Sequence, residues 1–205
     1  MSFLLNFEVA DMIILASASP RRREILSELG VNFEVVVADA DESSEQKDPE
    51  KLTKELSKRK AEAVREKLLK AGTLTEDCVI IAADTVVFNN GEILGKPKDA
   101  ADAKAMIRSL SGKEHSVVSG VSVTVREKSF CAACTTRVRV EDIPESEIDR
   151  YVASGEPMDK AGAYGIQGKF SVWVKGIDGC YFNVVGLPVN TLAQLYFEAT
   201  GERLI

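Results

Sequence analysis

CVIIAADTVVF, residues 78–88, is an almost unbroken apolar run with one carboxylate, Asp84, near its middle. A run of this length rich in valine and isoleucine reads as a strand buried on both faces. An aspartate among such neighbours is costly unless it is paired, protonated or bound to a metal. Asp84 is therefore the first candidate functional residue; the plainer alternative is a strand-end carboxylate facing water or capping a neighbouring element.

Working outward from this strand, Asn89-Asn90-Gly91 forms a hairpin-type turn into an extended segment from Glu92 to Pro97. Asp99 caps a helix that Gly112 ends, and strands follow around His115–Arg126 and Phe130–Val140. A helix near Glu145–Ala153 precedes a glycine-rich segment, GAYGIQG, at 162–168. Phe170 to Lys175 alternates like a strand, Asp178-Gly179 turns, and a last helix starts at Pro188. Upstream, Met12 to Leu15 is long enough for a buried strand, and Pro20 fits the first turn of a helix capped by Ser19 and ended by Gly30. Phe33 to Val37 reads as a strand, 38–47 as an acidic loop, and Asp48-Pro49 opens a long helix closed by Gly72. Helices mixed with several hairpins predict an α/β fold with a mixed sheet, not a strict βαβ repeat.

The 205 residues suit one domain, with 45% apolar and 28% charged positions. A formal charge of −6 argues against a bulk polyanion binder, so no nucleic-acid partner is expected. Any phosphate chemistry must come from a local basic cluster. Four cysteines do not make a disulfide scaffold in a chain of this size. The opening MSFLLNFEVADMIILA is interrupted by Glu8 and Asp11 and has no basic start, so it reads as neither signal peptide nor membrane span. The expectation is a cytoplasmic protein with a short leader at 1–11 and a single domain over 12–205.

Several constellations could carry chemistry. Ser17-Ala18-Ser19-Pro20-Arg21-Arg22-Arg23 stands after a strand and at a helix start. Free N–H groups, the positive helix end, hydroxyls and guanidiniums all favour an anion there, though a capped helix with solvated arginines has the same sequence. Lys60, in LSKRKAEA, and Lys96, in LGKP, could face the same site or stand in solvent. Glu42 in the acidic loop is equally open. GAYGIQG followed by Lys169 fails as a phosphate loop, because Ala163 stands where the first glycine belongs and Phe170 where Ser or Thr is needed. What survives is a tight loop with exposed backbone and one amide, Gln167, able to read a polar ligand. Cys131 and Cys134 have CxxC spacing but lack partners for a zinc site. His115, the single histidine, reads as a hydrogen-bonded structural residue.

Seven segments in order resemble the Maf family of nucleoside-triphosphate pyrophosphatases: LASASPRR at 15–22, KRKA at 58–61, AADTVV at 82–87, LGKP at 94–97, LSGKEHSV at 110–117, SGEPMDKAGAYGIQG at 154–168 and VVGLP at 184–188. The resemblance implies a twisted mixed sheet with flanking helices and two lobes around a cleft, similar to inosine-triphosphate pyrophosphatases. It implies hydrolysis of a nucleoside triphosphate to monophosphate and pyrophosphate with a divalent metal, Mg²⁺ or Mn²⁺. AYGIQG is similar to the branch that takes dTTP and UTP. Carried over, Asp84 matches the family's proton acceptor, while Arg21, Thr85 and Gln167 match positions tied to substrate choice. Glu42, Lys60 and Lys96 match further cleft residues, with Asp84 and Glu42 the metal ligands and Ser17 and Arg22 beside Arg21 at the phosphates. A homodimer is a further expectation from the resemblance. A nucleotide-binding regulator of cell division acting through a partner is the alternative; the Asp84, Lys60 and Lys96 set favours catalysis, because a pure binder needs no buried carboxylate beside a polyanion.

Overall fold

The computed structural model describes residues 12–205, so the leader expected over 1–11 lies outside the described residues. In chain order the elements are β1 (Ile13–Leu15), α1 (Pro20–Glu28), β2 (Glu34–Val35), α2 (Pro49–Ala71), β3 (Val79–Asn89), β4 (Glu92–Leu94) and α3 (Ala100–Leu110). They continue with β5 (Glu114–Val125), β6 (Lys128–Val140), α4 (Glu145–Ala153), β7 (Val174–Asp178), α5 (Tyr181–Val185) and α6 (Val189–Thr200). Short 3-10 segments cover Glu156–Asp159, Ala161–Ala163 and Lys169–Trp173. The strands form one mixed sheet in the order β2-β1-β3-β5-β6-β7, with β4 also on β3. β2, β1 and β3 are parallel, and every pairing from β3 to β7 is antiparallel. The α/β class with a mixed sheet is as the sequence predicts. Among the described residues no helix is long and apolar enough to cross a membrane.

β3 organises the molecule. Its alternate residues Val79, Ile81 and Ala83 pack with Ile25 and Leu26 of α1 and with Leu192 and Leu195 of α6. Ile80 and Ala82 pack on the other face with Ala61, Val64 and Leu68 of α2. Both faces are covered, which is why the strand reads as continuous apolar sequence rather than as alternation. Each fully buried Leu, Ile or Val contributes about 1.5–3 kcal/mol of burial free energy.

The edges of β3 differ. β5 pairs with it from Val79 to Phe88, whereas on the opposite edge β1 reaches only Ile81 and β4 begins only at Val87. Residues 82–86 are left with an open edge on that side, and Asp84 is its midpoint. The turn that brings β4 back uses Asn90 and Gly91 at φ 49° and 86°, the left-handed pair a tight hairpin needs.

α2 delivers a lysine to this gap. Asp48 caps it by accepting from the N–H groups of Glu50 and Lys51 at 2.9 and 3.2 Å, and Gly72 closes it. Its backbone lies directly on β5, because a Cβ at Gly120 would sit 2.2 Å from the Thr53 carbonyl carbon. Gly120 is the β5 partner of Asp84. Lys60, two helical turns beyond Thr53, thus lies over the same strand pair.

Two segments depart from the sequence reading. Phe33–Val37 shortens to a two-residue strand whose side chains are exposed. Of Phe170–Lys175 only Val174 and Lys175 are strand, the start of β7; the residues before them lie in the 3-10 segment Lys169–Trp173. Its three-residue period places Phe170 and Trp173 together, 5.5 Å apart, against Tyr151, and leaves Val172 73% exposed. Burying an aromatic cluster outweighs the β-propensity of the sequence.

Candidate active site

The open edge of β3 floors a cleft of about 710 Å³, inside the range of about 300–1,000 Å³ usual for small-molecule sites. Its walls are the start of α1, the loop through Glu42, α2, Lys96 after β4, the segment 159–168 and the turn at Gly186. Five cations and three carboxylates line it: Arg21, Arg22, Lys60, Lys96 and Lys160 against Glu42, Asp84 and Asp159. A chain of net charge −6 thus turns a positive surface inward here.

Strand alternation sends Asp84 and Thr85 to opposite faces, and the gap lets both reach the cleft. Asp84 is 8% exposed and accepts from Lys60 Nζ at 2.6 Å. The same Nζ lies 3.0 Å from Glu42 Oε1, so one ammonium is held between two carboxylates. Glu42 stands in the exposed loop and is brought in by this contact.

On the other face, Arg22 spans the end of the cleft with its fork. Its Nε donates to the Gly186 carbonyl at 2.9 Å, Nη1 to Ser17 Oγ at 3.0 Å and Nη2 to Thr85 Oγ1 at 3.1 Å. Burial pushes the Arg22 pKa down, while the charges of Asp84 and Glu42 pull it back up. Thr85 Oγ1 also meets Ser119 Oγ at 2.8 Å, and Ser119 donates to the Asn183 carbonyl at 3.1 Å. This chain of hydroxyls fixes Thr85 from behind.

Ser19 occupies the N-cap position of α1, but its side chain makes no capping bond. Ser17 Oγ instead accepts the Ser19 N–H at 3.2 Å. The first turn carries three arginines and no acidic residue. Cations at a helix N-terminus oppose its dipole by about 0.3–1 kcal/mol each, and an anion seated there reverses the sign. Arg21 reaches across the cleft mouth to Asp159 Oδ2 at 3.3 Å, and Asp159 also accepts from Lys160 Nζ at 2.6 Å. Lys96 and Gln167 are exposed on the rim, and among the described residues neither side chain makes a hydrogen bond or ion pair. They are free to meet a ligand.

All nine residues singled out from the sequence (Ser17, Arg21, Arg22, Glu42, Lys60, Asp84, Thr85, Lys96 and Gln167) line this one cleft. Sequence reasoning missed Asp159, Lys160 and the Gly186 carbonyl. All three lie within matched segments, but only the fold brings 159 to Arg21 and the Gly186 carbonyl to Arg22. His115 lies outside the chemistry, buried with Nε2 2.7 Å from Tyr164 Oη, and burial pushes its pKa down to about 4. Cys131 and Cys134 are free thiols, three apart on β6 and so on opposite faces of the sheet. Burial pushes both thiol pKa values up. Among the described residues no group of three or more His, Cys, Asp or Glu side chains is placed to hold a metal.

The family model described as Maf-like protein matches residues 12–199. The chain belongs to this family. Every one of the seven segments that carry the Maf resemblance contributes a residue to the cleft wall. Among relatives, this Maf-like chain is 48% identical over 195 residues to the dTTP/UTP pyrophosphatase of Agathobacter rectalis, covering 90% of this chain and 95% of that one. It is 46% identical to the enzyme of the same name from Alkaliphilus metalliredigens, with 90% and 94% covered. The value is 47% for that from Pelotomaculum thermopropionicum, with 89% and 94% covered. The Staphylococcus aureus Ham1 protein overlays on 64% of this chain and 72% of its own, with a TM-score of 0.44 and 17% identity.

Proposed function

We propose that this chain hydrolyses dTTP and UTP to the monophosphate and pyrophosphate in its cleft, with a divalent metal. The observation that carries the proposal is the meeting, in one cleft, of a lysine-paired buried carboxylate, a ring of cations and an unpaired amide. The printed names of relatives 46–48% identical over about nine-tenths of the chain supply the substrate class.

A triphosphate brings about four negative charges, which the cations at Arg21, Lys60, Lys96 and the first turn of α1 would share. Arg22 is already committed to three protein acceptors, so it shapes the phosphate end as well as charging it. Asp84, 8% exposed on the cleft floor, would accept a proton from the attacking water. Lys60 holds that carboxylate in one orientation and keeps its charge tolerable in the interval before substrate arrives.

The donor set fits a hard cation. Two carboxylates already converge on one positive centre, at 2.6 and 3.0 Å from Lys60 Nζ. Mg²⁺ and Mn²⁺ take one or two carboxylates and fill the remaining shell with phosphate oxygens and water. Asp84 and Glu42 would hold the ion. It would supply charge neutralisation on the phosphates and a lowered pKa for water.

On the cleft rim, Gln167 offers a donor and an acceptor to the carbonyl and N3–H of uracil or thymine. An amide can flip to suit cytosine, so the choice depends on how the loop holds it. The test is pyrophosphate release from a nucleotide panel with Mg²⁺ or Mn²⁺, repeated in excess chelator and with Gln167→Ala. We expect dTTP and UTP to react best, CTP less and purines poorly, chelation to abolish turnover, and Gln167→Ala to flatten the ranking. A wild-type preference for GTP over dTTP and UTP would contradict the substrate assignment.

A further inference from the structure

Gln167 sits at the corner of a tight turn, and the turn is held from behind by a carboxylate outside the cleft wall. Gly168 N–H donates to the Gly165 carbonyl at 3.1 Å, closing the turn with Ile166 and Gln167 at its corners. Ile166 is buried in the main core, and Gln167 projects to the cleft rim. The next amide, Lys169 N–H, points at both oxygens of Glu156, 3.0 and 3.1 Å away. The Tyr151 hydroxyl donates to the same carboxylate at 3.3 Å, and the Gly165 amide also bears on that hydroxyl.

Gly168 explains how close this contact is. Its φ of −93° and ψ of −156° are extended backbone open to any residue, so no turn geometry demands glycine there. Yet a Cβ at 168 would lie 2.0 Å from Glu156 Oε1. A side chain at 168 would therefore displace the Glu156 carboxylate from the turn. Glu156 is further anchored through its own carbonyl, which accepts from Lys160 Nζ at 2.6 Å, and Lys160 pairs with Asp159, the partner of Arg21.

We propose that Glu156 is the positioning residue for base recognition, fixing the Gly165–Gly168 turn so that its backbone and the root of the Gln167 side chain meet the pyrimidine from one place. Glu156 touches neither substrate nor reacting atoms; it acts through the turn that carries Gln167. The inference rests on the proposed pyrimidine-triphosphate activity and adds a source of selectivity within it. The Gln167 amide has no partner of its own among the described residues and can turn over, so it is the turn backbone, whose N–H and C=O cannot interchange, that distinguishes uracil from cytosine when it is held in place.

The test is a cycle of E156A, G168A and the double variant, with E156Q as the conservative control. The readouts are kcat and KM for UTP and CTP and hydrogen exchange at the Lys169 amide. Losing one charge-assisted bond that orients a reader should lower the UTP-over-CTP ratio of kcat/KM about tenfold in E156A. The loss should enter through KM for UTP, with kcat less affected. E156Q retains an acceptor oxygen for Lys169 and should keep most of the ratio. G168A should lose selectivity by pushing the carboxylate away, and the double variant should be no worse than E156A, because the added methyl then has room. Lys169 exchange should quicken in E156A. G168A probes the contact with Glu156 in place, so the test does not depend on E156A folding. Unchanged selectivity in both single variants, or losses that multiply in the double, would overturn the proposal. A parent that does not prefer UTP to CTP would instead sink the substrate reading on which it rests.

Discussion

Acidification from pH 7.5 to 5.0 should weaken the fold by about 2 kcal/mol through His115 alone. The ring is 3% exposed, its Nε2 is engaged by Tyr164, and its Nδ1 has no partner among the described residues. Protonating it would place a charge and an unpaired N–H in the core, which is why burial pushes its pKa from 6.5 to about 4. The unfolded chain therefore binds a proton between those values that the folded chain refuses. The stabilisation is fully present above pH 6.5 and is lost as the pH falls towards 4. A shift of this size corresponds to about 3 kcal/mol in total, of which about 2 kcal/mol has gone by pH 5.0. The assay is urea unfolding of the parent and His115→Gln at both pH values. Glutamine can still bond Tyr164 but does not titrate, so the variant should lose about 2 kcal/mol less than the parent on acidification. Equal losses in the two proteins would refute the reasoning.

Other perturbations bear on the cleft. Lys60→Met removes the cation paired with Asp84 and should destabilise the fold by about 2–3 kcal/mol, less than the full cost of a broken buried pair because Lys60 is partly open to the cleft; adding Asp84→Asn should recover most of that in the same melts, and additive losses would show the pair is uncoupled. Arg22→Lys replaces a three-way fork by a single ammonium that cannot meet Gly186, Ser17 and Thr85 at once. Unfolding should show a loss of about 1–3 kcal/mol, and kcat/KM for UTP should fall at least about tenfold. Because Cys131 and Cys134 face opposite sides of the sheet, their double replacement by Ser should leave turnover near the parent value; purified protein that holds stoichiometric zinc and loses it in the double variant would contradict this.

Much of this architecture is legible in the chain because its signals are local. The apolar run around Asp84, the Asp48-Pro49 start and Gly72 stop of α2, and the Asn90-Gly91 turn each follow from nearby residues. Asp84 stands out since a charge in a core strand is expensive wherever the strand ends up. What sequence could not supply is the set of long-range partners. Arg21 and Asp159 are 138 positions apart, and the acceptor of Arg22 Nε is a backbone carbonyl with no side-chain signature. Glu156 lay within a matched segment, but its role depends on a turn that closes thirteen residues later. The Phe170–Lys175 misreading has the same origin: alternation suggests a strand, and only packing on Tyr151 selects the 3-10 path. Ser19 holds the cap position without a capping bond, while Ser17 Oγ accepts its amide.

The most direct test of the central claim is to run the reaction with UTP and Mg²⁺ in ¹⁸O-water and locate the label. Water activated at Asp84 for attack on the α-phosphorus predicts UMP carrying the ¹⁸O and unlabelled pyrophosphate, with no turnover in Asp84→Asn. Release of UDP with labelled inorganic phosphate, or undiminished turnover in Asp84→Asn, would contradict it.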